Sequence, residues 1–324
     1  MIKEMPSASN YTLKGTNILS SVAAVILTYN EEKNIDACLR SLTGFCKEIY
    51  IVDSGSIDQT LDICRRYTDK IHSHPFVDCP SQWSWAMTHI PLGCRWMMAL
   101  DADYVLTEGL KRQIAHVVSL PESDIRGYFL TIGIVFRGKR LRSYGMNRLF
   151  LRLFDVQHTR VGASVLDDHR FIVQGRTRIL TGLMLHDNRN ENEIDFYIDK
   201  QQVYSTRMAA EEVLRSSGRI GWIVRPYAFG NPDQRVTWLK RIWQRLPLYW
   251  RPFFYFVYRY IIRLGFLDGW NGFLFDFLHA FWFRLIVDVK IMDMRRKIAA
   301  GTLTMDDLER KFRHSYHNRS GNAG

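Results

Sequence analysis

The stretch that most constrains this chain is Trp96-Met97-Met98-Ala99-Leu100-Asp101-Ala102-Asp103, an apolar run that ends on two carboxylates one residue apart. It reads as a buried strand opening into an acidic loop. Residues two apart on a strand project to the same side, so Asp101 and Asp103 are expected to face one crevice. In open α/β sheets, ligands bind at the carboxyl ends of the strands. Two convergent carboxylates joined by diphosphate oxygens suit Mg²⁺ or Mn²⁺, which prefer oxygen ligands. Taken alone, the same stretch also reads as a solvated turn.

The preceding segments repeat the pattern. Val22-Ala23-Ala24-Val25-Ile26-Leu27 is a short apolar run that reads as a buried parallel strand and ends in Thr28-Tyr29-Asn30-Glu31-Glu32. A helix with Ile35, Leu39 and Leu42 on one face should follow, stopping near Gly44. Ile49-Tyr50-Ile51-Val52 is the second strand and ends in Asp53-Ser54-Gly55-Ser56-Ile57-Asp58-Gln59-Thr60. Asp58 is placed to cap the helix carrying Leu61, Cys64 and Tyr67. A third strand is expected near Lys70-Ile71-His72, then a helix through Gln82-Trp83-Ser84-Trp85-Ala86-Met87 up to Pro91. This alternation predicts a doubly wound α/β sheet. No G-x-G-x-x-G follows the first strand and no G-x-x-x-x-G-K-[ST] occurs, so the phosphate loops of dinucleotide and P-loop enzymes are missing. Instead, the strand ends carry Asn and Asp. Asp53 suits a base N–H or a ribose hydroxyl; its plainer alternative is a turn-forming Asp before Ser-Gly.

Beyond the carboxylates, Leu106 to Val118 reads as a helix. Gly127–Ile132 and Ile134–Phe136 are strand-like, with a turn at Arg137-Gly138-Lys139-Arg140, and Leu149–Phe154 is another strand. Val165-Leu166-Asp167-Asp168-His169-Arg170-Phe171 sets paired carboxylates beside an imidazole. Repulsion between neighbouring carboxylates raises the pKa of one and makes it a better base; a solvated loop is the alternative. Arg176–Leu180 leads to His186-Asp187-Asn188, and Ile194 to Val213 reads as a long polar-faced helix including Lys200 and Tyr204.

Length and charge bound the rest. The chain has 324 residues, 47% of them hydrophobic, which is enough for one large or two modest domains. Its formal charge of +11 suits an anionic partner. Cys38, Cys46, Cys64, Cys79 and Cys94 form no C-x-x-C pair and read as small apolar residues in a reducing compartment. Met1 to Ser21 is polar and lacks the apolar core of a secretory signal. No apolar run is long enough to span a bilayer.

From Trp238 onward aromatics crowd among arginines: Trp243, Trp250, Phe253, Phe254, Tyr255, Phe256, Tyr258 and Tyr260 beside Arg241, Arg245, Arg251, Arg259 and Arg263. A second aromatic run extends from Trp270 to Phe283. Helices with an aromatic face and arginine flanks suit a membrane interface, lying on it rather than crossing it. Packing against the sheet is the plainer alternative. A nucleic-acid platform is disfavoured, because its stacking aromatics are spaced rather than blocked together. Gly301 to Gly324 reads as a short helix and a polar end.

In sum these motifs resemble family 2 glycosyltransferases, the inverting enzymes of GT-A fold. Val25–Glu32, Val52–Thr60 and Leu100–Asp103 carry the resemblance, in order, at the expected strand ends. Gln82–Ala86, Asp167-Asp168-His169, His186-Asp187-Asn188, Lys200 with Tyr204, and Gly265-Phe266-Leu267-Asp268-Gly269 are similar to bacterial enzymes of exopolysaccharide and lipopolysaccharide-core assembly. The resemblance implies a GT-A type mixed sheet with a Rossmann-like nucleotide-binding half at 22–105, an acceptor half at 106–235, an aromatic helical region at 236–300 and a tail at 301–324. It implies a nucleotide pocket of Thr28, Asn30, Glu32, Asp53, Ser56, Asp58, Gln82 and Asp101. It further implies a divalent metal, Mg²⁺ or Mn²⁺, on Asp103 and Asp101, and a general base at Asp168 or else Asp167. The implied partners are a nucleotide sugar, with UDP as carrier, and a polyprenyl-diphosphate-linked or otherwise lipid-anchored glycan at the inner face of the bacterial cytoplasmic membrane. A lipopolysaccharide-core role is the alternative pathway, and a non-catalytic nucleotide- or glycan-binding protein the alternative class. Tyr104, Gln201 and Asp168 depart from the acidic residue, the His and the Glu that many relatives carry there.

Overall fold

The computed structural model describes residues 20–120, 124–142, 148–163 and 169–314. Its centre is β1 (Ser20–Thr28), flanked in parallel by β2 (Cys46–Asp53) and β4 (Trp96–Asp101). β1 is buried on both faces, with Val22 to Ile26 wholly inaccessible. The two-residue period of a strand sorts its side chains. Val22, Ala24 and Ile26 join one core with Ile35, Leu39 and Leu42 of α1 (Ile35–Leu42) and with Leu110 and Ile114 of α4 (Glu108–Ser119). Ala23 and Val25 join another with Trp83 and Ala86 of α3 (Cys79–His89). A continuous apolar run is what a strand covered by helices on both faces requires.

The remaining elements are α2 (Thr60–Cys64), β3 (Ile71–Ser73), β5 (Tyr104–Leu106), β6 (Ile125–Phe136), β7 (Lys139–Arg140), β8 (Arg148–Asp155), β9 (Thr159–Ala163), β10 (His169–Val173) and β11 (Arg176–His186). The sheet runs β3-β2-β1-β4-β8-β6-β11-β5, with β7 paired to β6, and β9 and β10 form a separate ribbon. β8 is antiparallel to both β4 and β6, so the sheet is mixed, as expected. It must also curl. Four strand spacings separate β4 from β5, about 19 Å in a flat sheet. The chain from Asp101 to Tyr104 reaches at most about 11 Å. The edge formed by β11 and β5 therefore folds back over the end of β4, and this curl builds the site.

Helices complete the molecule: α5 (Ile194–Ser216), α6 (Pro232–Trp243), α7 (Trp250–Val257) continued by a π-helical stretch Tyr258–Ile262, α8 (Gly269–Asp276) continued by a second π-helical stretch Phe277–Trp282 into α9 (Phe283–Ala299), and α10 (Met305–His314). Ala209, Val213 and Leu214 of α5 pack on Phe283, Val287 and Ile291 of α9 as a third core. Three expectations need correction. The helix anticipated from Leu106 starts at Glu108, because Tyr104–Leu106 is spent on pairing with β11. The two strand-like runs between Gly127 and Phe136 are one strand. Asp58 is not the cap of α2: Gln59 holds that position without a side-chain cap, while Asp58 accepts the Thr60 N–H at 3.0 Å. Among the described residues, no helix is long and apolar enough to cross a membrane.

Candidate active site

The loops after β1 and β2 brace each other. Asp53, buried at the end of β2, accepts the N–H groups of Gly55 and Ser56 at 2.9 Å each and the Ser56 hydroxyl at 2.6 Å. The Ser56 hydroxyl in turn accepts the Asn30 N–H, and Asn30 Oδ1 accepts the Ile57 N–H. Asn30 has φ +53°, a left-handed conformation that Asn tolerates better than most residues. Asp58 takes the Glu32 N–H at 3.2 Å while Glu32 accepts from Gln59. Gln82 reaches this corner from α3, donating to the Ser54 hydroxyl and the His74 carbonyl. Thr28 is buried with its hydroxyl unpartnered. Seven of the expected nucleotide residues thus meet at one corner, where Asp53, Asp58 and Ser56 hold the loop shape.

Asp101 and Asp103 line one cavity of 530 Å³. Their surroundings differ. Asp101 is half-exposed, with one oxygen 3.1 Å from Arg152 Nη2. Asp103 is buried; its Oδ2 accepts from Asn188 Nδ2 at 2.9 Å and lies 2.9 Å from His186 Nε2, whereas its Oδ1 has no partner. The cause is β5. Pairing of Leu106, Val105 and Tyr104 with Met184, Leu185 and His186 sets the acidic turn against the end of β11, where the Asp187 N–H donates to the Asp103 carbonyl. Burial works to raise the Asp103 pKa, but the adjoining His186, with help from Lys200 and Asn188, depresses it well below the ordinary carboxylate value. His186 moves the other way: burial opposes its charge and Asp103 outweighs burial, raising its pKa.

The network continues to the loop after β1. Buried Asn34 donates to Glu31 Oε2 at 2.6 Å and accepts from the Arg189 N–H. Burial first, and the Asp103 charge second, push the Glu31 carboxyl up to about 7. Lys200 crosses the cavity wall to Glu191 at 2.6 Å, and Arg170 pairs with Asp233 at 3.3 Å. Phe275, His279, Phe283 and Arg284 of the C-terminal helices complete the lining.

Residues 23–157 match the family model described as Glycosyl transferase family 2. The chain is a transferase whose residues 23–157 carry a family 2 glycosyltransferase segment. It is similar to an uncharacterized glycosyltransferase of Rickettsia typhi, 22% identical over 275 residues covering 81% of this chain and 84% of that protein. An uncharacterized glycosyltransferase of Rickettsia prowazekii is 22% identical over 207 residues, covering 60% of this chain and 69% of that protein. Among solved structures, S. aureus TarS aligns at TM-score 0.39 with 17% identity over 91% of each chain. Glucosyl-3-phosphoglycerate synthase of M. tuberculosis, solved with Mn²⁺, UDP and phosphoglyceric acid, aligns at TM-score 0.39 with 13% identity over 62% of this chain and 79% of that one.

In this transferase, Asp167 and Asp168 lie outside the described residues. They fall in sequence between β9 and β10, and Arg170 and Phe171, which follow them, line the cavity. No cluster of three or more His, Cys, Asp or Glu is preformed for a metal among the described residues. The donor chemistry nonetheless fits a divalent cation. Asp103 is held ionised with one oxygen unsatisfied, and Asp101 faces the same space. Glu31, Asn34 and Arg152 were not singled out from sequence, and His186 and Asn188 had no assigned role. Arg152 lies inside the apolar run of β8 and Asn34 just before α1, positions that carry no signal in the sequence, whereas His186 and Asn188 stand where the β11 run ends.

Proposed function

We propose that the enzyme is a metal-dependent, inverting transferase that moves a sugar from a UDP-sugar to a hydroxyl of a lipid-linked glycan in bacterial exopolysaccharide assembly, working at the cytoplasmic face of the membrane. The observation carrying this reading is Asp103: a buried, ionised carboxylate with an unpartnered oxygen, opening beside Asp101 into the 530 Å³ cavity. A buried carboxylate oxygen left without a partner is costly unless something binds it. Asp103 and Asp101 would hold the divalent ion, which when bound offsets charge on the departing diphosphate. Thr28, Asn30, Glu32, Asp53, Ser56, Asp58 and Gln82 frame the nucleotide. Asp168, or else Asp167, takes the proton of the attacking hydroxyl; such a base supplies roughly 10²- to 10⁴-fold. A lipid-linked acceptor is supported by the cavity wall, where Phe275 and Phe283 stand with Arg284. UDP rests on the family resemblance.

The test is thermal shift with UDP, GDP and TDP, each with and without Mn²⁺, since a ligand bound only by the folded state raises Tm. Stabilisation by UDP only with metal, abolished in Asp103→Ala, is the expected result. Equal stabilisation with and without metal would remove the metal from the reading.

A further inference from the structure

The helix α7 with its π-helical continuation is amphipathic in the inverted sense. Arg251 is wholly buried and Arg259 is 9% exposed, whereas Trp250 is 63% and Ile262 67% exposed. The outward positions Trp250, Phe253, Phe254, Tyr258, Ile261 and Ile262 recur at helical spacing, so they form one face. Arg251 turns inward to Glu212 and Asp288, and Arg259 to Asp276. The chain then reverses through Leu264, at φ +59°, into Gly265–Asp268 and α8. The reversal is tight: a Cβ on Gly272 would stand 2.4 Å from the Gly265 carbonyl oxygen. Its tip exposes Leu264, Phe266, Leu267 at 68% and Trp270 at 72%.

The sheet contributes charge beside this tip. Arg137 and Gly138, both at positive φ, make the two-residue turn between β6 and β7. That turn is anchored to the hairpin: Lys139 Nζ donates to the Asp268 carbonyl at 3.1 Å and the Arg142 N–H to the Asp268 carboxylate at 2.9 Å. Arg137, Arg140 and Arg142 are exposed next to the apolar tip. No Asp or Glu lies between Asp233 and Asp268, against seven Lys and Arg, and Asp268 and Asp276 are buried. Of those seven, Arg251 and Arg259 are buried; the face of α7 and the tip carry no exposed carboxylate, and Arg137, Arg140 and Arg142 add positive charge at the turn, whose other side bonds Asn192 beside exposed Glu193. A second copy would set like charges against each other; an anionic bilayer complements both features.

We propose that the outward face of α7, the Leu264–Trp270 tip and the β6–β7 turn form one docking surface for an anionic lipid bilayer, with the tip inserting and the turn reading headgroup charge. This rests on the reading of a membrane-side acceptor and deepens it. Ile134, Val135 and Phe136 of β6 and Phe275 of α8 line the active-site cavity, so the anchoring turn and hairpin are direct continuations of the cavity walls. Docking holds the cavity close to the lipid surface.

The experiment is co-sedimentation of the full chain with vesicles of phosphatidylcholine alone or mixed with phosphatidylglycerol, at low and high salt. The wild type should partition about tenfold more strongly onto the anionic vesicles at low salt. Arg137→Glu/Arg140→Glu should lose that preference and keep residual binding to both. Leu267→Glu/Trp270→Glu should stay in the supernatant with both. Stabilisation by UDP with Mn²⁺, measured in parallel, separates the two readings: it reports the donor site whether or not vesicles bind, and its retention shows that each variant is folded. Wild type in the supernatant with anionic vesicles, a tip variant that sediments like wild type, or tip-dependent self-association without vesicle binding would each overturn the proposal.

Discussion

Asp103 and Asp101 stand two residues apart, yet β4 ends between a buried, network-held carboxylate and a half-exposed one paired with Arg152. That asymmetry predicts unequal substitutions. Asp103→Asn should lower turnover by about 10²-fold or more, since metal stabilisation of transition-state charge is worth several kcal/mol. Asp101→Asn should cost less and leave metal-dependent nucleotide stabilisation measurable; steady-state kinetics and thermal shift on both variants check this. Glu31 carries a pH prediction. Its pKa is raised from 4.5 to about 7, so the folded state holds a proton that the unfolded chain has released. Its contribution to stability is complete below pH about 4.5 and is lost as pH rises through about 7. Metal-free protein should lose Tm across that window, and Glu31→Gln should flatten the loss, as read by thermal unfolding in chelator. The carboxylates that end apolar runs, Asp53, Asp101 and Asp103, were legible in the sequence because a strand end announces itself. That Asn34, His186 and Asn188 join one network around Asp103 and Glu31 was not, because that network links segments that meet only when the sheet curls.

The C-terminal helices were legible as helices with an aromatic face and arginine flanks, but not in which arginines turn inward. Hydrophobicity alone turns aromatics inward; here Arg251 goes inward because Glu212 on α5 and Asp288 on α9 wait there, thirty-nine and thirty-seven residues away in sequence. β5 was missed for a related reason. Three residues carry too little periodicity to register, and their strand character comes from β11 far downstream. The Arg251 cluster also defines what holds these helices in place. Its guanidinium donates to both Glu212 oxygens, to Asp288 Oδ1 and to the Trp243 carbonyl, with no exposure. Removing one partner of a buried ion pair leaves an uncompensated charge, at a cost of about 3–5 kcal/mol. Arg251→Ala should fall in that range by urea unfolding, whereas Arg241→Ala, at an exposed position of α6, should change stability by less than about 0.5 kcal/mol.

For the whole molecule, the sequence divides the chain at residue 235, where composition shifts, while the packing runs across that boundary. Phe275 belongs to the same core as β1, α1 and α4, and stands 5.1 Å, ring to ring, from Phe136 of β6. Arg251 ties α7 to α5, and α9 packs along α5 through Val213, Leu214, Val287 and Ile291. The cavity is lined both by Asp101 and Asp103 at the sheet end and by Phe283 and Arg284 of the helical layer, so neither layer alone encloses it. Sheet and helical layer should therefore unfold together. Calorimetry should record one transition whose van't Hoff and calorimetric enthalpies agree. Truncation after residue 235 exposes the faces of α5 and β6 that the helices cover, and should yield aggregated or unfolded chain rather than a nucleotide-binding domain. Two resolved transitions, or a soluble truncation still stabilised by UDP and Mn²⁺, would make the helical layer a separable module, and the acceptor side of the cavity would then form by docking of that module rather than by folding of the chain as a unit.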